Sequence, residues 1–161
     1  YISWYYRPMD DLDKKILAQL QTDSTLSVSD IADRVGLSAT PCWRRIRIME
    51  ESGVIERRVA LLNPEKLTLG VTVFVGVKTS QHNYEWLERF AKVVAEIDEV
   101  VELYRMSGEV DYLLRIVAPD IAGYDAVYKR LIQAADLSDV SSSFAMEQIK
   151  FTTALPLAYA T

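Results

Sequence analysis

The sequence has a single cysteine and a single histidine, and these two scarcities exclude most site chemistry from the outset. Cys42 alone forms no internal disulfide and builds no zinc site. A lone thiol gives no sign of an oxidising compartment, so a cytoplasmic setting is expected. His82 is the only imidazole available to a catalytic triad; no nucleophile or base stands near it, and it reads as a surface-loop residue. CxxC, HExxH and P-loop spacings are absent. Long apolar runs are absent too: none approaches the roughly 20 residues that span a bilayer, and no signal peptide is expected. The chain therefore reads as having no metal site, no cofactor, no membrane partner and no enzymatic activity.

What is present is a globular composition, half hydrophobic and one quarter charged over 161 residues, enough for one large domain or two small ones. The opening "YISWYYRP" precedes Met9, which has the look of a native start, and is left out of the fold reading. The net charge of −5 is unevenly spread. Residues 1–69 balance ten Lys/Arg against ten Asp/Glu, whereas residues 70–161 carry eight against thirteen. Within the balanced part, residues 34–58 hold six arginines and three glutamates. A basic patch on an acidic chain suits a polyanion such as nucleic acid.

Hydrophobic spacing predicts three helices first. "DDLDKKILAQLQ" aligns Leu12, Ile16, Leu17 and Leu20. "SVSDIADRVG" starts with Ser27 and Asp30 as a capping box, turns Ile31, Ala32 and Val35 inward, and stops at Gly36. The third helix begins at Ser38, or at Thr40 with Pro41 in the first helical position. Two helices around a short glycine turn make a helix-turn-helix, and "VIERRV" suits a short strand or wing. The rhythm then changes. "VTVFVGVK" alternates as a strand, "YEWLERFAKVVAEI" turns Leu87, Phe90, Ala91, Val94 and Ile97 inward, and "VVELYRMSG" and "DYLLRIVAP" form a hairpin around residues 107–109. "DIAGYDAVYKRLIQAA" is a helix with Ile121, Tyr124, Tyr128, Leu131, Ile132 and Ala135 inward, and "SSSFAMEQIKFTT" closes as a strand. The order is β-α-β-β-α-β, a ferredoxin-like plan with one sheet face uncovered; dimerisation through that face is expected.

On the third helix, Cys42, Ile46 and Met49 share the core side, with Thr40, Arg44 and Arg47 opposite. Arg45 falls at the apolar edge, within reach of a phosphate or an acidic neighbour. Trp43 lies on the other flank, suited to packing or to a groove edge. Arginine forks match guanine O6/N7, and open N–H groups at the helix start attract phosphate. Ser38, Thr40, Pro41, Trp43, Arg44, Arg45 and Arg47, with Arg57 and Arg58 beyond the helix, are the candidate DNA-binding residues.

"VGLSATPCWRRIRIMEESGVI" within residues 35–55 resembles the recognition segment of the Lrp/AsnC family of bacterial and archaeal regulators. "SGEVDYLL" and "AMEQIKFTTALPL" are similar to the family's regulatory turn and closing strand, so the resemblance spans about residues 10–158. It implies an α+β chain: a winged helix-turn-helix at 9–58 (helix-turn-helix about 28–47), a linker at 59–69, and a ferredoxin-like regulatory domain of the RAM/ACT type at 70–158. It further implies a cytoplasmic, nucleoid-associated transcription regulator that binds double-stranded DNA sequence-specifically. Sheet-paired homodimers would assemble further, for instance to octamers, and a small amino acid would act as effector near the hairpin turn at a subunit interface. Mapped here, the effector residues are Tyr104, Met106, Ser107, Gly108, Glu109 and Asp111, with Met146 added as an apolar neighbour. Asp111 suits an ammonium group and the amides around Gly108 a carboxylate. Arg57 and Arg58 stand where many members carry Gly-Tyr, which alters the wing. The alternative is an effector-independent protein that wraps DNA without sequence preference.

Overall fold

Two reciprocal caps start the first helices. In the computed structural model, which describes residues 8–81, 83–134 and 137–161, Asp10 accepts from the Asp13 N–H (2.9 Å) and Asp13 from the Asp10 N–H (3.1 Å). This box opens α1 (Asp11–Leu20), and Ser27 with Asp30 opens α2 (Val28–Val35) in the same way. Gly36 ends α2 at φ 76°, a left-handed position that glycine takes without steric cost. Helix α3 (Ala39–Glu51) starts at Ser38, the first of the two starts left open by the sequence. Pro41 is thereby its third residue, still within the turn whose N–H groups lack intrahelical partners. Ile16, Leu17, Leu20, Ile31, Ala32, Val35, Cys42, Ile46 and Met49 bury against one another as one small core.

The contacts divide the chain into two units, one of residues to Leu61 joined by Lys150–Thr161, the other Leu62–Ile149. Segment 150–161, expected within a regulatory domain ending at 158, thus belongs with the helices. The Gln21 side-chain amide grips the Leu155 backbone at both polar atoms: Nε2 donates to the carbonyl (3.1 Å), and Oε1 accepts from the N–H (2.9 Å). Leu157 packs against the helical core. The expected short strand after Gly53 does not form. Ile55 turns inward, donating its N–H to the Met49 carbonyl at 3.0 Å, while Val54 and Val59 are exposed. No described strand of this unit offers an edge for pairing.

The second unit follows the β-α-β-β-α-β order: β1 (Val71–Lys78), α4 (Tyr84–Ala95), β2 (Val100–Arg105), β3 (Tyr112–Ala118), α5 (Ile121–Ala134) and β4 (Asp139–Phe144). The sheet runs β2-β3-β1-β4, antiparallel throughout. Alternation puts Val73, Val75, Val77, Leu114 and Ile116 on one face, where Trp86, Phe90 and Val94 of α4 and Tyr124, Val127 and Leu131 of α5 cover them. Residues of the other face, such as Phe74 and Tyr104, are exposed.

Three expectations change here. Ile121 and Ile132 point outward and Val127 inward, because the buried stripe is centred on Tyr124, Val127 and Leu131, about 80–100° from Ile121 and Ile132. Trp86 joins the inward face of α4. The closing strand stops at Phe144 rather than continuing to Thr153. Ala145 bonds Thr72, and β1 begins at Val71, so the pairing edge runs out. Ala135 and His82 lie outside the described residues.

Candidate nucleic-acid interface and ligand-binding turn

Burial of Cys42, Ile46 and Met49 turns the opposite side of α3 to solvent, and Thr40, Arg44 and Arg47 are all exposed there. Ser38 makes no side-chain cap bond, unlike Asp10, Ser27, Asn83 and Asp120 at the starts of the other described α-helices. The first turn of α3 is therefore open to an external acceptor. Pro41 is half-buried, and Trp43 is 53% exposed, outside the core. Arg47 pairs with Glu51 one turn on (3.0 Å), and Arg58 pairs with Glu50 (3.0 Å). Exposed pairs of this kind contribute roughly 0–1 kcal/mol, so phosphate can displace them at little cost. Arg44 and Arg57 pair with no described residue. A convex helix face with unneutralised guanidinium groups and an open N-terminus can read base edges and hold phosphates.

Arg45 departs from this set. Of the two partners open to it, the acidic neighbour is the one it has: Nη1 lies 2.8 Å from Asp10 Oδ2 and 2.7 Å from Asp13 Oδ1. Burial works against its charge, yet the bonds it donates to Asp10 and Asp13 outweigh that and raise its pKa. Arg45 is thereby half-buried and engaged with α1, whereas Arg44 and Arg47 are exposed.

The β2–β3 turn is built by backbone bonds. Met106 donates its N–H to the Asp111 carbonyl (2.8 Å), and Asp111 donates its own to Val77 (2.9 Å). Gly108 takes φ 132°, a region that favours glycine. Ser107, Gly108 and Glu109 are exposed. Asp111 Oδ2 accepts from the Thr79 N–H (2.8 Å), so this carboxylate braces the turn against the end of β1. Tyr104 donates its hydroxyl to Glu102 (3.1 Å), and Glu102 also receives Arg115 (2.6 Å). The Arg115 bond holds the Glu102 carboxyl below the usual carboxylate range, and Glu102 in turn pushes the Tyr104 hydroxyl up.

Within one chain the turn does not gather all the residues expected there. Met106 is exposed near its base, but Met146 follows Phe144, which pairs with Val73, whereas the turn is bonded at Val77. At about 3.3 Å per strand residue, Met146 stands well over 10 Å along the sheet from the turn. Sequence reasoning also missed Val110, whose Cγ1 approaches within 2.9 Å of where a Gly76 Cβ would stand. A glycine inside an alternating strand was the available signal. No group of three metal-ligating side chains occurs among the described residues, nor does any described helix have the length and apolarity to cross a membrane.

Comparison with known proteins agrees with both halves of this geometry. Residues 9–56 match the pattern described as winged helix-turn-helix DNA-binding, and residues 72–155 that of the Lrp/AsnC ligand binding domain. The Escherichia coli K12 DNA-binding transcriptional activator DecR is 51% identical over 150 residues, covering 92% of this chain and 99% of its own. The glutamate uptake regulatory protein of Zymomonas mobilis is 47% identical over 151 residues, covering 94% and 92%. An AsnC family transcriptional regulator from Agrobacterium tumefaciens superposes with a TM-score of 0.91 at 66% identity, over 94% of this chain and 99% of that one. A Neisseria meningitidis transcriptional regulator, solved as a complex with L-methionine, gives 0.88 at 35% identity, over 92% and 97%. A helix-turn-helix whose second helix is turned to solvent, a βαββαβ domain following it in sequence and near full-length similarity to transcription regulators rather than enzymes lead to one conclusion: the chain is a DNA-binding transcription regulator with a ligand-binding domain and belongs to the Lrp/AsnC family.

Proposed function

We propose that the protein binds specific DNA sequences in the cytoplasm as a homodimer or an assembly of dimers, and that a small amino acid sets its affinity or assembly. The observation that carries the DNA half is the outward face of α3, where Thr40, Arg44 and Arg47 stand exposed beside an uncapped helix start. Thr40 and Arg44 read base edges, while Ser38, Arg47, Arg57 and Arg58 hold phosphates and Trp43 lines the groove edge. A dimer presents two such helices to half-sites about one helical turn apart, and several dimers together bend the duplex.

The effector half draws support from the Neisseria relative's L-methionine complex and from the exposed turn at Ser107–Glu109. Turn amides receive the effector carboxylate, and Tyr104, Met106 and Asp111 border its other end, with a second subunit closing the site. Differential affinity for two assembly states then couples ligand to DNA. The uncovered face of the sheet, including Phe74 and Tyr104, supports pairing between subunits.

The experiment is a thermal-stability panel of the common amino acids at millimolar concentration, since a ligand binding only the folded state raises the midpoint by mass action. Asp111→Asn keeps an acceptor for Thr79 while removing the charge, so it is the informative variant. A selective rise that this variant abolishes supports the effector site. A flat panel, with DNA binding intact and equal on random DNA, supports instead an effector-independent DNA-wrapping protein.

A further inference from the structure

An ion cluster inside the helical unit joins the start of one helix to the middle of another. Arg45 Nη1 touches three carboxylate oxygens, Asp10 Oδ1 (2.9 Å), Asp10 Oδ2 (2.8 Å) and Asp13 Oδ1 (2.7 Å). Those two aspartates are the same pair whose reciprocal bonds cap α1. The Asp13 side chain is 8% exposed and that of Arg45 19%, so this pair is largely withdrawn from water, while Asp10, at 40%, is its solvent-facing side.

We propose that Arg45 is a positioning residue for DNA recognition, fixing the rotation of α3 about its own axis against the capped start of α1, and not a DNA contact. It rests on the proposed sequence-specific reading and deepens it. Helical geometry carries the inference. With about 100° between successive residues, pinning Arg45 puts Arg44 and Arg47 about 60° apart on the opposite side. Cys42, Ile46 and Met49 also hold α3, but apolar contact is non-directional and tolerates sliding. A guanidinium held by fixed carboxylates adds direction, the use for which partly buried ion pairs are best attested. At the roughly 5–6 Å outer radius of a helix with its side chains, a rotation of about 10° moves the outer part of a side chain by about 1 Å. That exceeds the roughly 0.5 Å tolerance of a binding constellation.

The test uses the full-length protein, a duplex site selected by it from random DNA, and a scrambled duplex of equal length and composition. Affinity for both is measured against salt concentration for the wild type, Arg45→Met, Asp13→Asn and Asp10→Asn, well below each thermal midpoint. Positioning predicts that Arg45→Met and Asp13→Asn each lower affinity for the selected site about tenfold or more. Affinity for scrambled DNA and the salt slope stay as in the wild type. The Asp13→Asn result is the sharper one, because removing a negative charge near DNA should otherwise strengthen binding. Simple destabilisation lowers binding to both duplexes together, which overturns the proposal. So does a fall of about one in the salt slope for Arg45→Met, the mark of a lost phosphate contact, or a rise in affinity for Asp13→Asn. If Arg45→Met does not fold, Arg45→Lys takes its place: one ammonium in the position of Nη1 restores discrimination if the cluster positions the helix, and its failure to do so counts against positioning. If selection enriches no sequence, the sequence-specific reading fails by itself, and with it the discrimination assigned to Arg45.

Discussion

Replacing Gly76 with alanine sets two effects of known sign against each other. A Cβ at this buried position of β1 would stand 2.8 Å from Ser141 Oγ, 2.9 Å from Val110 Cγ1 and 3.6 Å from Val110 Cβ. Carbon pairs prefer about 3.5–4.0 Å, so at least one neighbour must move by several tenths of an ångström. The Ser141 hydroxyl can turn away, giving up a long bond to the Gly76 carbonyl (3.4 Å). Val110 has less freedom, because the next residue, Asp111, is bonded to Val77 and Thr79. Overpacking of this kind costs about 1–3 kcal/mol, whereas alanine recovers about 0.5–1 kcal/mol of the backbone entropy that glycine loses. The net expectation is a loss of about 1–2 kcal/mol. For a unit the size of Leu62–Ile149, at about 4–8 °C per kcal/mol, the midpoint falls by about 4–16 °C in calorimetry. The decisive comparison is a double-mutant cycle. In a Val110→Ala background the same glycine change should be close to neutral, leaving a coupling beyond the roughly 0.3–0.5 kcal/mol scatter of independent sites. Additive costs, or a midpoint unmoved by Gly76→Ala alone, would refute the reasoning.

Two further outcomes are expected. Leu157→Ala or Gln21→Ala destabilises the helical unit by on the order of 1 kcal/mol, since each removes half-buried apolar contact or a two-point backbone grip; faster amide exchange across α1 checks it, and unchanged exchange counts against the contact. The Glu102 carboxyl, depressed by Arg115, adds stability above the unfolded-state glutamate pKa of about 4.3, and this is lost as pH falls through its lower folded-state value. The stability gap between wild type and Glu102→Gln in urea titrations should therefore be level above about pH 5 and close on acidification. A gap that widens there contradicts the ion pair.

Local order was readable because its causes are local. Ser27 with Asp30, Gly36 and the alternation of β1 are each defined by neighbours within four residues. The outward side of α3 follows from the periodicity of Cys42, Ile46 and Met49. Partners distant along the chain were not readable. Asp13 looks like any first-turn acid, and only the fold brings Arg45 to it across 32 residues. The brace from Asp111 to Thr79 spans another 32. Met146 was placed by its apolar character, which says nothing about which end of β1 it joins. The closing strand was overextended because residues 145–153 have strand-like side chains, while the missing quantity was a pairing edge.

The helical unit is assembled from both sides of the sheet unit in sequence, and this sets an order of events on the ribosome. Helices α1 to α3 emerge first, but Leu155 and Leu157 follow only after the whole of Leu62–Ile149 has been made. At about 5–20 residues per second, the nascent DNA-binding part waits several seconds for its last pieces. During that interval it holds its helical core without the Gln21 grip, and it reaches its final stability only when the ligand-binding part has already been synthesised.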